Sequence, residues 1–210
     1  MTQEIEIYEQ RFTLHPSGSL FWGEKSILMI SDVHLGKISH FRKFGAAVPQ
    51  QAINANFNMM DAVTAYFNPE TIIFLGDLFH SHLNYEWRHF EDWTSRTTAK
   101  ITLINGNHDV ISDSKYEALG IEVFDEHIID DFLLTHHPEI RERFFNFCGH
   151  VHPSVKISGI GKQTLRLPCF FKKRDQMILP AFGEFTGTHT LKPQKKDEIF
   201  ALADGVVIKI

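Results

Sequence analysis

Residues 71–82, TIIFLGDLFHSH, carry the strongest signal for both fold and chemistry. The run from Thr71 to Leu75 is short, apolar and rich in β-branched residues, which is typical of a strand buried in a sheet covered on both faces. Gly76 permits a sharp turn after that strand, so Asp77 is expected at the carboxyl edge of the sheet, where open α/β sheets bind ligands. Because a carboxylate has two oxygens, we expect Asp77 to bridge two divalent metal ions.

Similar polar clusters follow other apolar runs along the chain. The segment SILMI at 26–30 leads into Asp32 and His34, and the segment at 101–104 leads into Asn107. Helical periodicity separates these runs at 49–67 and at 85–96, which predicts an α/β fold. Short β segments continue from residue 155 onward, and we expect them to form a second sheet within one domain spanning 1–210.

The turns that follow the predicted strands supply seven candidate metal ligands. They are Asp32, His34, Asp77, Asn107, His136, His150 and His152. A mixed set of seven oxygen and imidazole ligands is too large for one tetrahedral zinc ion, and it suits two metals that share a carboxylate. In the turn THHP the choice between His136 and His137 stays open, and we prefer His136 because it comes first after the strand.

Charge is unevenly distributed over this chain of formal net charge −5. Residues 151–196 contain nine Lys and Arg against Asp175 and Glu184, including the run Lys172, Lys173 and Arg174, whereas residues 1–150 are strongly acidic. This asymmetry is compatible with a basic rim beside an acidic, metal-loaded cleft, and equally with a solvated surface of scattered lysines.

Cysteine content and hydropathy set the expected compartment. The chain has two cysteines, Cys148 and Cys169, so a disulfide framework is not indicated and a reducing compartment is expected. The N-terminal segment is acidic, and no apolar run approaches the ~18 residues that a membrane-spanning helix needs. We therefore expect a cytoplasmic protein without a membrane partner.

Five motifs resemble the blocks of the calcineurin-like metallophosphoesterases. In chain order they are SDVHLGK, GDLFHS, GNHD, THHP and GHVHP. The segments HLGK, HFRKFGAAVP, LPCFF and LPAFGEFTG are further similar to the bacterial ligase-associated DNA damage response phosphoesterase (endonuclease) family, and this likeness covers nearly the whole chain. The resemblance implies a four-layer α/β sandwich, with two mixed β-sheets flanked by helices.

The resemblance also implies a role for each site residue. Asp32, His34, Asp77 and His152 would hold one metal, and Asp77, Asn107, His136 and His150 the other. Manganese is the ion that it implies, with Fe²⁺, Zn²⁺ and Mg²⁺ as alternatives. His108 matches a histidine that protonates the leaving oxygen or stabilises the phosphoryl group, and His80 matches one that positions the scissile phosphate.

Three further residues near these motifs have less certain roles. Lys37 and Arg42 follow the first metal motif and are candidates for binding substrate phosphates, or are exposed solubility residues. Asp109 is the nearest group in sequence to orient the imidazole of His108, and a surface or helix-capping role fits it equally.

The function expected is that of a DNA phosphodiesterase or endonuclease in repair, which hydrolyses phosphodiesters with a metal-activated hydroxide. Its expected partners are DNA and a repair system with a DNA ligase and a helicase. A phosphatase or pyrophosphatase for nucleotides or other small phosphoesters would use the same site. A non-catalytic scaffold is a third alternative, and an intact His108 beside a complete ligand set disfavours it.

Overall fold

The computed structural model describes residues 1–38, 51–80, 82–159, 161, 163–184 and 186–210, with the side chains of 51–53 left out. Its helices are α1 (Gln51–Phe67), α2 (Glu86–Arg96) and α3 (Asp113–Glu117). The strands of the N-terminal half are β1 (Gln3–Ile7), β2 (Gln10–Leu14), β3 (Leu20–Trp22), β4 (Ile27–Ile30), β5 (Thr71–Leu75), β6 (Lys100–Ile104) and β7 (Glu122–Phe124). Those of the C-terminal half are β8 (Glu126–Ile129), β9 (Phe132–Thr135), β10 (Phe145–Cys148), β11 (Pro153–Ser158), β12 (Thr164–Lys172), β13 (Gln176–Ile178), β14 (His189–Thr190), β15 (Glu198–Ala203) and β16 (Val206–Lys209).

The first sheet contains β1 to β7 in chain order. Strands β1 to β4 form an antiparallel meander, and β4 to β7 are parallel. All four residues of β4 are buried, as are the last four of β5 and of β6. Continuous burial of this kind means that both faces of the sheet are covered, as the apolar runs predicted.

The second sheet follows the order β14-β11-β12-β13-β10-β9-β8, and β15 and β16 join it through β12. The central strand β10 is parallel to both β9 and β13, whereas β12 is antiparallel to β13, to β11 and to β15. Both sheets are therefore mixed, and the expected α/β fold class with two mixed sheets and flanking helices is confirmed.

Three apolar clusters organise the layers. The first packs side chains of the helices, such as Met60 and Trp93, against one face of the first sheet. The second lies between the sheets and includes Phe12 from the first sheet and Phe147 from the second. The third covers the outer face of the second sheet and includes Cys148 and Cys169, which are both buried free thiols.

The parallel strands bring the chemistry-bearing turns together. Because β4, β5 and β6 are parallel neighbours, the turns after them lie side by side at one sheet edge, and the same holds for β9 and β10 in the second sheet. The two edges meet, because the His150 amide donates to the Asp32 side chain and the Gly183 amide donates to the Asp32 carbonyl.

Some elements were missed or misjudged in extent. Strands β8 and β14 carry no clear apolar alternation. Strand β8 forms a hairpin with the next strand, β9, and β14 pairs in parallel with β11, which lies more than 30 residues earlier in the chain. Strand β12 continues to Lys172 and is longer than the short segments expected in this region, since it pairs in succession with β11, β15 and β13. None of the described helices is both long and apolar enough to cross a membrane.

Asn146 on β10 is a fully buried polar residue that ties several elements together. Its amide nitrogen donates to the Leu133 carbonyl and to the Thr135 hydroxyl, and its oxygen accepts from the Glu139 amide and the Gln176 side chain. Removing the side chain would take a hydrogen bond from each of these groups, of which those of Leu133, Thr135 and Gln176 are buried.

We expect Asn146→Ala to lower the free energy of unfolding by about 2–4 kcal/mol, because it leaves buried polar groups unsatisfied. Urea denaturation measures this change. The same substitution at Asn58, which is exposed on α1, is the matched control and should change stability by less than about 0.5 kcal/mol. Equal shifts of the two midpoints would contradict this role for Asn146.

Candidate metal centre

The first sheet presents its site residues on adjacent turns that are hydrogen-bonded to one another. The Asp32 amide donates to the Gly76 carbonyl at 3.1 Å, and the His34 amide donates to the Asp77 carbonyl at 2.9 Å. The next turn joins them, because the His108 amide donates to Asp77 Oδ1 at 2.9 Å. The side chains after β4, β5 and β6 therefore have fixed relative positions.

Five of the seven candidate ligands have a left-handed backbone conformation. The φ angles are 55° at Asp32, 52° at His34, 50° at Asp77, 66° at His150 and 50° at His152. A non-glycine residue with positive φ is uncommon, costs roughly 1–3 kcal/mol, and is found preferentially at functional sites. The unusual backbone thus coincides with the residues that the motifs single out.

Two glycines allow the turns to approach one another this closely. A Cβ atom on Gly76 would lie 2.3 Å from the ring of His136, and one on Gly149 would lie 1.7 Å from the Ser31 hydroxyl. Neither site accommodates a side chain without displacing a neighbour that lies next to a candidate ligand.

The first set of donor atoms surrounds one oxygen of Asp77. His152 Nε2 lies 3.0 Å from Asp32 Oδ1 and 3.3 Å from His34 Nε2, and His34 Nε2 lies 3.9 Å from Asp77 Oδ2. Asp32, His34 and Asp77 are almost fully buried. Four side chains therefore direct lone pairs toward one small volume.

The second set surrounds the other oxygen of Asp77. His136 Nε2 lies 3.0 Å from Asn107 Oδ1, 3.2 Å from His150 Nδ1 and 3.4 Å from Asp77 Oδ1. The two carboxylate oxygens of Asp77 thus face two different donor sets, which is the geometry that we expected of a bridging carboxylate.

The hydrogen bonds of the histidines test whether these sets suit a cation. His136 Nδ1 donates to the Leu75 carbonyl at 2.9 Å, and His152 Nδ1 donates to the Gly187 carbonyl at 3.1 Å. In the neutral rings each Nε2 then carries a lone pair, and that lone pair faces other acceptors. Only a proton or a cation relieves such a contact, and carboxylate, amide and imidazole donors fit a divalent metal.

Burial lowers the pKa of His34 to about 3, so this ring stays neutral and able to bind a metal at physiological pH. Burial also lowers the pKa of Lys37, while the charges of Asp77 and Asp32 act in the opposite direction. Lys37 therefore lies within electrostatic reach of both carboxylates. Arg42 lies outside the described residues.

His80 and His108 lie beside the first donor set. Their rings are stacked with centroids 5.0 Å apart, and the His34 ring lies 5.5 Å from that of His80 and 5.7 Å from that of His108. Both rings are partly exposed, so a molecule bound at the metal centre can reach them.

Asp109 has a different role from either one considered from sequence. Its Oδ1 accepts from the Phe79 amide at 3.0 Å, and its Oδ2 accepts from the Gly106 amide at 2.9 Å. Burial raises its pKa to about 6. The carboxyl group joins the turns after β5 and β6, and it supports His108 through the backbone.

The neighbouring histidines of the turn THHP are clearly distinguished. His136 is buried within the second donor set, whereas His137 is exposed and packs against the outside of His150, with ring centroids 4.1 Å apart. His137 still lies close enough to form a possible metal-binding group with His136 and His150. The geometry places His136 among the seven donors and His137 at their edge.

Two supporting residues were not found from sequence. The Ser31 hydroxyl donates to Asp32 Oδ2, and buried Glu86 at the start of α2 accepts from the Gly36 amide at 2.6 Å. Ser31 is the first residue of the motif SDVHLGK, which is a signal that could have been used. Glu86 is separated by fifty residues from the turn that it holds, so no local pattern indicates its role.

Comparisons with known proteins identify the family of this chain. Residues 25–198 match the family model described as calcineurin-like phosphoesterase. The crystal structure of Pseudomonas putida nuclease MPE is similar over 100% of both chains, with 31% sequence identity and a TM-score of 0.85. No significant match is found among curated protein sequences.

Two other solved structures are more distantly similar. The phosphoesterase Yfce from E. coli has 14% identity and a TM-score of 0.46 over 88% of this chain and 97% of its own. The protein AQ665 of unknown function from Aquifex aeolicus has 20% identity and a TM-score of 0.42 over 60% of this chain and 78% of its own.

The family match covers most of the chain and includes all seven candidate ligands. Members of this family use divalent metals to hydrolyse phosphate esters, and the groups of His and Asp described above suit such ions. The chain is a hydrolase acting on ester bonds, and it belongs to the calcineurin-like phosphoesterase family.

Proposed function

We propose that this protein is a dinuclear-metal-dependent phosphodiesterase that cleaves DNA, acting as an endonuclease in repair. The observation that carries the proposal is the placement of the two Asp77 oxygens against two separate sets of donor atoms. Similarity to a nuclease over the full length of both chains supports nucleic acid as the substrate.

The donor sets lead to a specific assignment of ligands. One ion would be held by Asp32, His34, Asp77 and His152, and the other by Asp77, Asn107, His136 and His150. Manganese is our preferred ion, because the resemblance to the repair nucleases of this superfamily implies it. Fe²⁺ and Zn²⁺ fit the histidine-rich composition too, and Mg²⁺ fits it least.

When bound, the two cations supply a water of lowered pKa and neutralise charge on the phosphate oxygens. His108 then donates a proton or hydrogen bond to the departing oxygen, since its partly exposed ring lies beside the first donor set. His80, stacked on His108, positions the scissile phosphate. The Lys37 ammonium group adds a positive charge on the same side, and Arg42 is a further candidate for binding phosphate.

The remaining parts of the proposal concern the cellular setting. A cytoplasmic enzyme that processes damaged DNA would act with a DNA ligase and a helicase, as the likeness of the HFRKFGAAVP and LPAFGEFTG segments to the ligase-associated family suggests. Cleavage of single-stranded, duplex and nicked DNA, compared with hydrolysis of small phosphomonoesters, tests the choice of substrate.

Elemental analysis of protein purified after manganese loading tests the ligand assignment. We expect two ions per chain in the wild type, about one in His152→Ala and in His150→Ala, and none in Asp77→Ala, because only Asp77 belongs to both sets. His127 stacks on Phe124 and belongs to neither donor set. The His127→Ala variant is therefore the control and should retain both ions. Loss of both ions in each single-histidine variant would contradict two separate sets.

Hydrolysis of bis-p-nitrophenyl phosphate tests the role of His108. We expect manganese-stimulated turnover in the wild type, and a kcat about 10²- to 10⁴-fold lower in His108→Ala, because a general acid contributes that much. Metal content should stay at the wild-type level. Unchanged kcat with two bound ions would contradict a catalytic role for His108.

Substrate choice gives a third expected result. With manganese, we expect cleavage of a labelled DNA strand at a higher kcat/KM than hydrolysis of any small phosphomonoester in the panel. The reverse order, with no cleavage of single-stranded, duplex or nicked DNA, would favour a phosphatase for nucleotides.

A further inference from the structure

The hairpin of β11 and β12 extends beyond the sheet edge that carries the metal centre. At the edge, Cys148 pairs with Ile178, and Ile178 pairs with Phe171 of β12. Strand β12 runs antiparallel to β13, so its earlier residues lie past this edge. Arg166 precedes Phe171 by five positions, which corresponds to about 16 Å of strand.

Two cations face each other near the end of this hairpin. Lys156 and Arg166 are cross-strand partners and both are exposed. Side chains in such pairs have Cβ atoms roughly 4.5–5.5 Å apart, and like charges at this position are destabilising. In the described chain neither side chain has an ion-pair partner, in contrast to Lys172, Lys209 and Arg141.

Strand alternation shows which face of the hairpin the cations occupy. Arg166, Pro168 and Phe170 share one face of β12, and Phe170 lies in the core between the two sheets. Pro168 lines a pocket together with Gly183, and the Gly183 amide donates to the Asp32 carbonyl. Lys156 and Arg166 therefore lie on the side of the hairpin that continues toward the metal centre.

Strand β11 also connects the hairpin directly to the site. It begins at Pro153, immediately after His152, and its first residues pair with β14. Lys156 is four residues from a candidate ligand, which is a reach of at most about 15 Å along the backbone. Both cations thus lie a few nucleotides away from a phosphate held at the centre.

We propose that Lys156 and Arg166 form a phosphate clamp that binds the backbone of a nucleic-acid strand whose scissile phosphate lies at the metal centre. This inference rests on the function proposed above and adds the surface that distinguishes a polynucleotide from a small phosphoester. A backbone phosphate between the two cations relieves their mutual repulsion and releases counterions from the strand.

The basic run Lys172 to Arg174, which the charge distribution indicated as part of a basic rim beside the cleft, begins at the end of β12. This end lies at the opposite edge of the second sheet from the metal centre, because β12 and β10 run in opposite directions. Lys172 pairs with Glu198, and Arg174 lies 3.7 Å from Asp175. We therefore assign the phosphate contacts to the hairpin rather than to this run.

The test measures binding of a fluorescein-labelled single-stranded DNA by anisotropy, in EDTA and over a range of salt concentrations. For Lys156→Gln with Arg166→Gln, we expect weaker binding and a slope of log K against log salt that is shallower by about 1.4, since each phosphate contact on a single strand contributes about 0.7. Hydrolysis of bis-p-nitrophenyl phosphate should stay at the wild-type level.

Two controls make this result specific. Lys173→Gln with Arg174→Gln removes the same charge at the far edge, and it should leave the slope unchanged. Lys156→Arg with Arg166→Lys keeps both charges, and it should restore binding. Equal slopes in the hairpin variant and the wild type, or an equal shift in the far-edge control, would overturn the clamp.

The outcomes also separate this inference from the proposed function. Wild-type protein that hydrolyses bis-p-nitrophenyl phosphate without binding the DNA strand overturns the clamp and leaves the phosphodiesterase intact. Wild-type protein that binds DNA through the hairpin but hydrolyses no phosphodiester with Mn²⁺, Fe²⁺, Zn²⁺ or Mg²⁺ supports the clamp and overturns the proposed catalysis.

Discussion

Repulsion among lone pairs is the governing interaction in this molecule. Asp77 directs one oxygen toward His34 Nε2 and the other toward His136 Nε2, while the opposite nitrogen of His136 is already engaged as a donor. Without positive charge between them, these buried acceptors destabilise the fold. In the function that we propose, two divalent cations would convert the repulsion into coordination, and metal binding would then be coupled to the stability of the turns.

The scaffold has to hold this arrangement against backbone strain as well. Positive φ angles at Asp32, Asp77 and His150 are maintained because parallel strands fix the start of each turn and because interturn hydrogen bonds fix its end. Gly76 and Gly149 then let the turns of the two sheets come into contact. The ligands lie on short turns between rigid strands, which preorganises them before any ion arrives.

The sequence predicted those parts of the fold that local pattern determines. The apolar runs before Asp77 and Asn107 became buried parallel strands, so the position of the turns followed from strand adjacency. Local pattern could not reveal long-range contacts. The Gly36 amide donates to Glu86, fifty residues away, and the Phe79 amide donates to Asp109, thirty residues away. The charge count along the chain indicated Lys172 to Arg174 as part of a basic rim. It could not show where this run lies in the fold, because composition does not reveal which sheet edge a residue occupies.

The most direct test is anomalous diffraction from a crystal of the protein soaked with manganese. Our account predicts two peaks on either side of the Asp77 carboxylate, about 3.5–4 Å apart, one beside His34 and His152 and the other beside His136 and His150. A single peak bound by residues from both sets, or an Asp77 carboxylate without an ion at either oxygen, would contradict it.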